Sequence, residues 1–419
     1  MPSSAPMLRG RVSLPNAWIV LACLLIALPC VVFRYLPMTD LPQHEAIVSI
    51  IRRFHDPAYG FNGYYGWALD RTLYVFPYAL ATGLAFIVPV KVALHITGML
   101  AVVSFPLGMV VCLRALCRPL WLGLRAVPLV YHRAFFRGFI TFCLRMGLAF
   151  TIPALPIGPL SRRSGWWVMA LCIVSAVTHV YGLLAAFAYA VASCLVSGGQ
   201  RDLLRRLVWT IPAVMAFVGW GVVAANAPGY GMTEWLPINV RLKGQSHSIL
   251  GGFADDSENA ILCAWAFAIG LILIPSFPIT WGRLKRWLVH TRAADLFIGA
   301  NIVAYLMSPV ATPTAKFIHF RHAVLAAMMA LLSIDRLSTR LLTNVGSGLV
   351  AAVAVFAQVN TWFHFIKFER EAQDFNEVLA LLPPRSNIVQ LTYDSKGQVV
   401  RSQPYLHFGA YAQAAKGGV

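Results

Sequence analysis

The chain has 419 residues, 58% of them hydrophobic, and a mean hydropathy of +0.68. Soluble globular chains are about 45–50% apolar, so the composition excludes an ordinary soluble domain. A net charge of +18 would suggest nucleic acid in a soluble protein, but the 34 Lys and Arg residues fall between apolar runs. That pattern argues for membrane topology and anionic lipid heads, with no nucleic-acid partner.

Apolar runs near the bilayer-spanning length of about 20 residues recur. They are unbroken rather than alternating, which predicts an all-α polytopic membrane protein and not a barrel. Residues 1–16 read as a cytoplasmic N-terminus. Arg9 and Arg11 precede the first run and no small-residue cleavage site follows it, so the first helix is retained. Membrane helices are expected at 17–37, 72–90, 92–113, 135–158, 165–180, 182–197, 205–225, 259–280, 294–311, 317–335 and 342–364. That makes about eleven, with a range of 10–13, in a transmembrane domain spanning 17–364. The short apolar piece 119–133 reads as either re-entrant or a spanning half-helix. With the N-terminus inside, Arg162/Arg163, Arg201/Arg205/Arg206, Arg283/Lys285/Arg286 and Arg336/Arg340 fall on the cytoplasmic side. Arg114, Arg118, Arg125 and Arg133 do not fit that parity, so either the count slips there or these cations meet an anionic ligand.

All but Asp202, Asp295 and Asp335 of the 16 acids lie in three segments. These are the outer loop 38–71, the outer loop 226–258 and the tail from 365. The same count maps all three to one outer face. Cys23, Cys30, Cys112, Cys117, Cys143, Cys172, Cys194 and Cys263 lie in or beside apolar runs and read as packing residues rather than disulfide or zinc partners.

The first loop opens with "MTDLPQHEAIV", Met38 to Val48. Asp40 stands where a helix would be capped, with Pro42 in the first turn and Gln43 at N3. This predicts an outer-face juxtamembrane helix whose Leu41, Ile47, Val48 and Ile51 face the membrane surface. His44 lies one turn on from Asp40, and Glu45 points about 100° away. Asp40 therefore has two readings, as a cap or as a carboxylate offered to a ligand. The tail, 365–419, is expected to be a small α/β segment. "KFEREAQDFNEVLALLPP" reads as an amphipathic helix stopped by Pro383-Pro384, and "NIVQLTYD" as a strand pairing with "QVVRS". The abrupt ending "PYLHFGAYAQAAKGGV" is compatible with a truncated natural domain.

"TDLPQHEA" is similar to the "DLPxH" loop of bacterial multi-pass proteins grouped with the C-class (GT-C) integral-membrane glycosyltransferases. "FFRGFITFCL", "THVYGLLAA", "FRHAVLAAMMALL" and "PYLHFGAYAQAAKGG" also resemble that set. The resemblance spans most of the chain through short motifs. It implies a GT-C-like fold in the bacterial inner membrane, with the C-terminal segment periplasmic. It also implies transfer of a sugar from a polyprenyl-phosphate donor to a glycan, lipid or protein acceptor at the outer leaflet. On that resemblance Asp40 maps to the general base. The departing lipid phosphate needs cations, and Lys316, His319, Arg321 and His322 are the candidates. His44, Glu45 and His179 are supporting candidates; His179 lies within a membrane run, where a histidine is either bonded to a neighbouring helix or in contact with substrate.

Many GT-C enzymes carry two adjacent acids, whereas Asp40 has none beside it. No metal site is assigned. A divalent ion held by Asp40, His44 and a distant acid such as Asp70 or Asp255 is not demanded by the spacing. Two other readings remain: a transporter or lipid flippase, which calls for two related halves not visible here, and a catalytically silent GT-C-fold accessory protein of envelope assembly.

Overall fold

The computed structural model describes residues 16–69, 72–115, 120–151, 162–179, 200–225, 232–273, 293–312, 315–331 and 340–418. The chain is all-α. Its helices are α1 (Asn16–Ala27), α2 (Pro29–Val32), α3 (Leu41–Arg52), α4 (Val75–Leu84), α5 (Val90–Ala115), α6 (Arg133–Phe136), α7 (Ile140–Thr151), α8 (Arg162–Thr178) and α9 (Gln200–Ala225). They continue as α10 (Ile238–Lys243), α11 (Gln245–Ile249), α12 (Ser257–Leu273), α13 (Ala293–Met307), α14 (Ile318–Ala330), α15 (Arg340–Ala372), α16 (Phe375–Leu381) and α17 (Ala410–Lys416). The ambiguous piece before α6 is a 3-10 segment, Leu120–Leu129. Strands β1 (Ala311–Thr312) and β2 (Ala315–Lys316) form one short antiparallel pair.

Val90–Arg114 and Leu342–Leu381 are long and apolar enough to cross a membrane. Shorter apolar helices cover Trp18–Ala27, Val75–Leu84, Gly165–Thr178, Leu207–Val223, Ser257–Ile272 and Ile298–Met307. The expected helix 182–197 lies outside the described residues. The core lies where α5 and α7 cross. Ser104 and Gly108 face Gly147, so no side chain holds the backbones apart. Phe105, Met109, Phe142 and Met146 fill the surrounding space and are all buried.

Three expectations are corrected. The single helix expected at 135–158 is broken: α6 ends at Phe136, Gly138 takes φ +85°, and α7 starts at Ile140. The strand expected at 387–394 does not form. Val389, Leu391 and Tyr393 project into solvent. The Gln390 side chain, rather than a ladder of backbone bonds, ties the segment to Gly409 N (2.7 Å) and Tyr405 O (2.8 Å). Of the expected partner stretch, Val400 makes an isolated bridge to Phe253 instead. Finally, only part of the side of α3 expected to face the membrane is outward: Ile47 is exposed and Ile51 half-buried. Leu41 and Val48 are buried, and α17 covers the helix, with Ser49 Oγ donating to Ala414 O (2.7 Å) and Arg53 to the same oxygen (3.0 Å).

The acid-bearing segments do meet. The tail lies on the first loop through these bonds and through Gly418 N to Tyr59 O (3.1 Å). It also meets the 252–256 loop, where Arg401 donates to Phe253 O (2.7 Å) and pairs with Asp256 (3.1 Å).

Candidate functional site

The site is built on the break between α6 and α7. His132 caps α6 by accepting from Ala134 N at 3.2 Å, and the helix closes after one turn. The backbone then turns through Gly138 and meets the start of α3. Thr39 N donates to Phe136 O (3.0 Å) and Asp40 N to Arg137 O (3.3 Å). A Cβ on Gly138 would lie 2.7 Å from Asp40 N, and φ +85° disfavours any side chain there, so this position calls for glycine.

His44 fastens the same junction from the first turn of α3. Its Nε2 lies 2.8 Å from Gly138 O and its Nδ1 2.7 Å from Tyr78 Oη. A carbonyl only accepts, so Nε2 carries the proton and Nδ1 accepts from the Tyr78 hydroxyl. Burial, the largest influence, pushes the His44 pKa down to about 4. A neutral, doubly bonded imidazole is an anchor, which is the role His44 takes here.

Asp40 occupies the N-cap position of α3, yet its side chain makes no capping bond. The capping reading is thus not realised, and the carboxylate is turned elsewhere. Burial raises its pKa from an ordinary 3.8 to about 6, against the opposing pull of Arg137 and Arg321. The tail reaches the same group: His407 Nε2 lies 3.7 Å from Asp40 Oδ1. His407 Nδ1 lies 3.1 Å from Gln43 Nε2, an amide donor, so the imidazole proton sits on the nitrogen facing Asp40.

Opposite Asp40 the site is cationic. Arg321, on the first turn of α14, places Nη1 3.2 Å from His179 Nε2 and donates Nη2 to Lys316 O at 3.3 Å. Its guanidinium lies 4.7 Å from the Phe139 ring centroid. Arg145 of α7, 1% exposed, donates Nη1 to His179 O at 2.7 Å, while its Nε and Nη2 have no hydrogen-bond partner among the described residues. Tyr74 stacks on the His179 ring at 4.9 Å. No Asp or Glu occurs between Asp70 and Asp202, so α5 to α8 bring no acid to these arginines. The arrangement sets Arg321 and the buried Arg145 on the two sides of His179, with Arg137 and Arg321 near enough to the half-buried Asp40 carboxylate to pull against its raised pKa.

The structure sorts the remaining candidates. Arg321 and His179 join Asp40 and His44. Lys316 is exposed and contributes its carbonyl. His319 and His322 turn away to α13: the His319 ring stacks on Tyr305 at 6.1 Å, and His322 Nδ1 meets Asn301 Oδ1 at 3.1 Å. Glu45 is buried on another face of α3. Burial raises its pKa to about 7, opposed by Lys91, Arg34 and Arg53, so it belongs to a separate cluster. Arg137, Arg145, Tyr74, Tyr78 and His407 were not singled out from sequence. The two arginines had a signal, being cations in an acid-free apolar stretch; His407 lies in the "PYLHFGAYAQAAKGG" motif, but only folding brings the tail to Asp40. Among the described residues no three His, Cys, Asp or Glu side chains converge on a metal position. An apolar groove of about 600 Å³ between α1, the 3-10 segment and α15 includes none of the Asp40-cluster residues in its lining.

No protein-family model matches the chain, and no curated protein or solved structure matches it either.

Proposed function

We propose that the chain is a GT-C-like integral-membrane glycosyltransferase of the bacterial inner membrane. On this reading it moves a sugar from a polyprenyl-phosphate donor to an envelope acceptor at the outer leaflet. The N-terminus lies in the cytoplasm and the C-terminal segment in the periplasm. The observation that carries the reading is a half-buried, non-capping Asp40 under the electrostatic pull of Arg137 and Arg321, with buried Arg145 bound to the His179 that Arg321 also meets.

The chemistry follows from that pairing. The acceptor hydroxyl gives its proton to an Asp40 oxygen as its own oxygen forms a bond to the anomeric carbon. The bond from that carbon to the phosphate oxygen breaks with both electrons going to the phosphate. The new charge on the leaving polyprenyl phosphate is met by the guanidiniums of Arg321 and Arg145. A carboxyl with a pKa about 6 is ionised at neutral pH and more basic than an exposed aspartate, as a general base should be. His407 lies where it orients that carboxylate, and His44 holds the backbone beneath it.

Binding of a short-chain polyprenyl phosphate to the purified protein tests the donor half. Arg321→Gln is expected to weaken it by at least about tenfold, the scale of one charge-assisted contact to phosphate. Unchanged affinity would remove Arg321 from the donor site.

A further inference from the structure

A second polar cavity lies at the far end of α15, distinct from the Asp40 cluster. It has a volume of about 520 Å³ and is bordered by Asp255, His364, Lys367, Arg370, Glu371 and Gln398. It sits where α15 changes character. Below it, Phe356, Val359 and Phe363 form an exposed apolar stripe; at it, the sequence becomes "KFERE".

Of the cavity's acids, Asp255 is engaged through both oxygens and Glu371 through one. Asp255 accepts from Ser257 Oγ (2.5 Å) and from His364 Nε2 (2.9 Å). Glu371 Oε1 accepts from Gln398 N (3.0 Å). His364 is fixed in turn: its Nδ1 meets Asn360 O at 2.8 Å, and its ring stacks on Phe253 at 3.9 Å. Both ring nitrogens therefore face oxygens, which holds the ring in place.

The cations are not engaged in this way. The Lys367 ammonium rests over the Phe363 ring at 4.1 Å. Among the described residues neither Lys367 nor Arg370 makes an ion pair with a carboxylate. A compact ammonium and a guanidinium fork on one cavity rim, beside an Asp255 whose carboxylate is already bonded, suit a phosphate group. Their place directly above an exposed apolar stripe is where a helix meets lipid headgroups.

We propose that this cavity binds a phosphate-bearing group through Lys367 and Arg370. The chemistry is shared by an anionic lipid headgroup and a soluble phosphate, and it does not depend on the glycosyltransferase reading.

The test uses the full chain in detergent micelles, titrated with dioctanoyl phosphatidic acid and, separately, with inorganic phosphate. The Lys367→Gln/Arg370→Gln double variant is expected to bind at least about tenfold more weakly, since two charge-assisted contacts are removed. Both residues are exposed, so the variant should keep the unmodified melting temperature. The remote Lys243→Gln should bind as the unmodified chain does. Phosphatidic acid alone showing the loss assigns a lipid headgroup; both probes showing it assigns a phosphate of either source. Absence of binding to the unmodified chain overturns the proposal. So does binding that survives the double substitution and falls with Arg321→Gln, because the phosphate is then held at the Asp40 cluster.

Discussion

Gly138 presses its α-carbon against the backbone of Asp40 so closely that a single methyl would fall 2.7 Å from the Asp40 nitrogen. The break between α6 and α7 and the start of α3 are therefore one structural unit, and the position of the Asp40 carboxylate depends on it. Gly138→Ala must either move α3 or strain a φ of +85°. A loss of roughly 1–3 kcal/mol is expected from the backbone conformation alone. Thermal unfolding of the variant in detergent measures it; an unchanged melting temperature would mean that the junction is not tight.

Tyr78→Phe isolates the His44 anchor. The substitution keeps the ring and removes the hydroxyl that serves His44 Nδ1, leaving a buried acceptor unsatisfied. The expected cost is about 1–3 kcal/mol. Denaturant titration reads it, and a neutral result would show that the Tyr78 hydroxyl does not hold His44.

The raised pKa of Asp40 has a stability consequence whose sign is fixed. The folded protein holds this proton up to pH about 6, whereas the unfolded chain releases it near 3.8. Asp40 thus makes stability fall as pH rises from about 4 to about 6, and the deficit persists at neutral pH. Asp40→Asn removes the ionisation, so its melting temperature should exceed that of the unmodified protein at pH 7 and match it near pH 4. The same difference at both pH values would contradict a strained carboxylate.

Arg145 offers the complementary test. It is buried with two guanidinium nitrogens lacking partners among the described residues. Structural arginines of this kind can be replaced by apolar residues of similar volume without loss. Arg145→Met is expected to leave the melting temperature equal or higher while lowering sugar transfer by at least about tenfold. Lower stability with full activity would make Arg145 a structural residue instead.

The start of α3 was legible because its signals are local: Asp40 at the cap position and Pro42 in the first turn suffice. That the acid-bearing segments come together was legible from their segregation along the chain. The helix break at Gly138 was not, because a glycine in an apolar run is usually tolerated within a helix, and only contact with Asp40 demands the turn. His319 and His322 read as partners of Arg321 through closeness in sequence, but α14 sends them to a different neighbour. The residues at 387–394 have strand-like composition, yet no sheet edge is available and the Gln390 amide satisfies the backbone around it. The contact of His407 with Asp40 depends on the fold, since the two lie 367 residues apart along the chain.

The central claim is that Asp40 serves as the base of a sugar transfer. It is tested most directly by transfer from a polyprenyl-phosphate-linked sugar to acceptor in membranes carrying the full chain or its Asp40→Asn variant. The account predicts activity that rises with pH through about 6 in the unmodified protein. It also predicts a loss of about 100-fold or more in the variant, the scale of general base catalysis, with the variant folded. Equal transfer by the folded variant at pH 7 would contradict it.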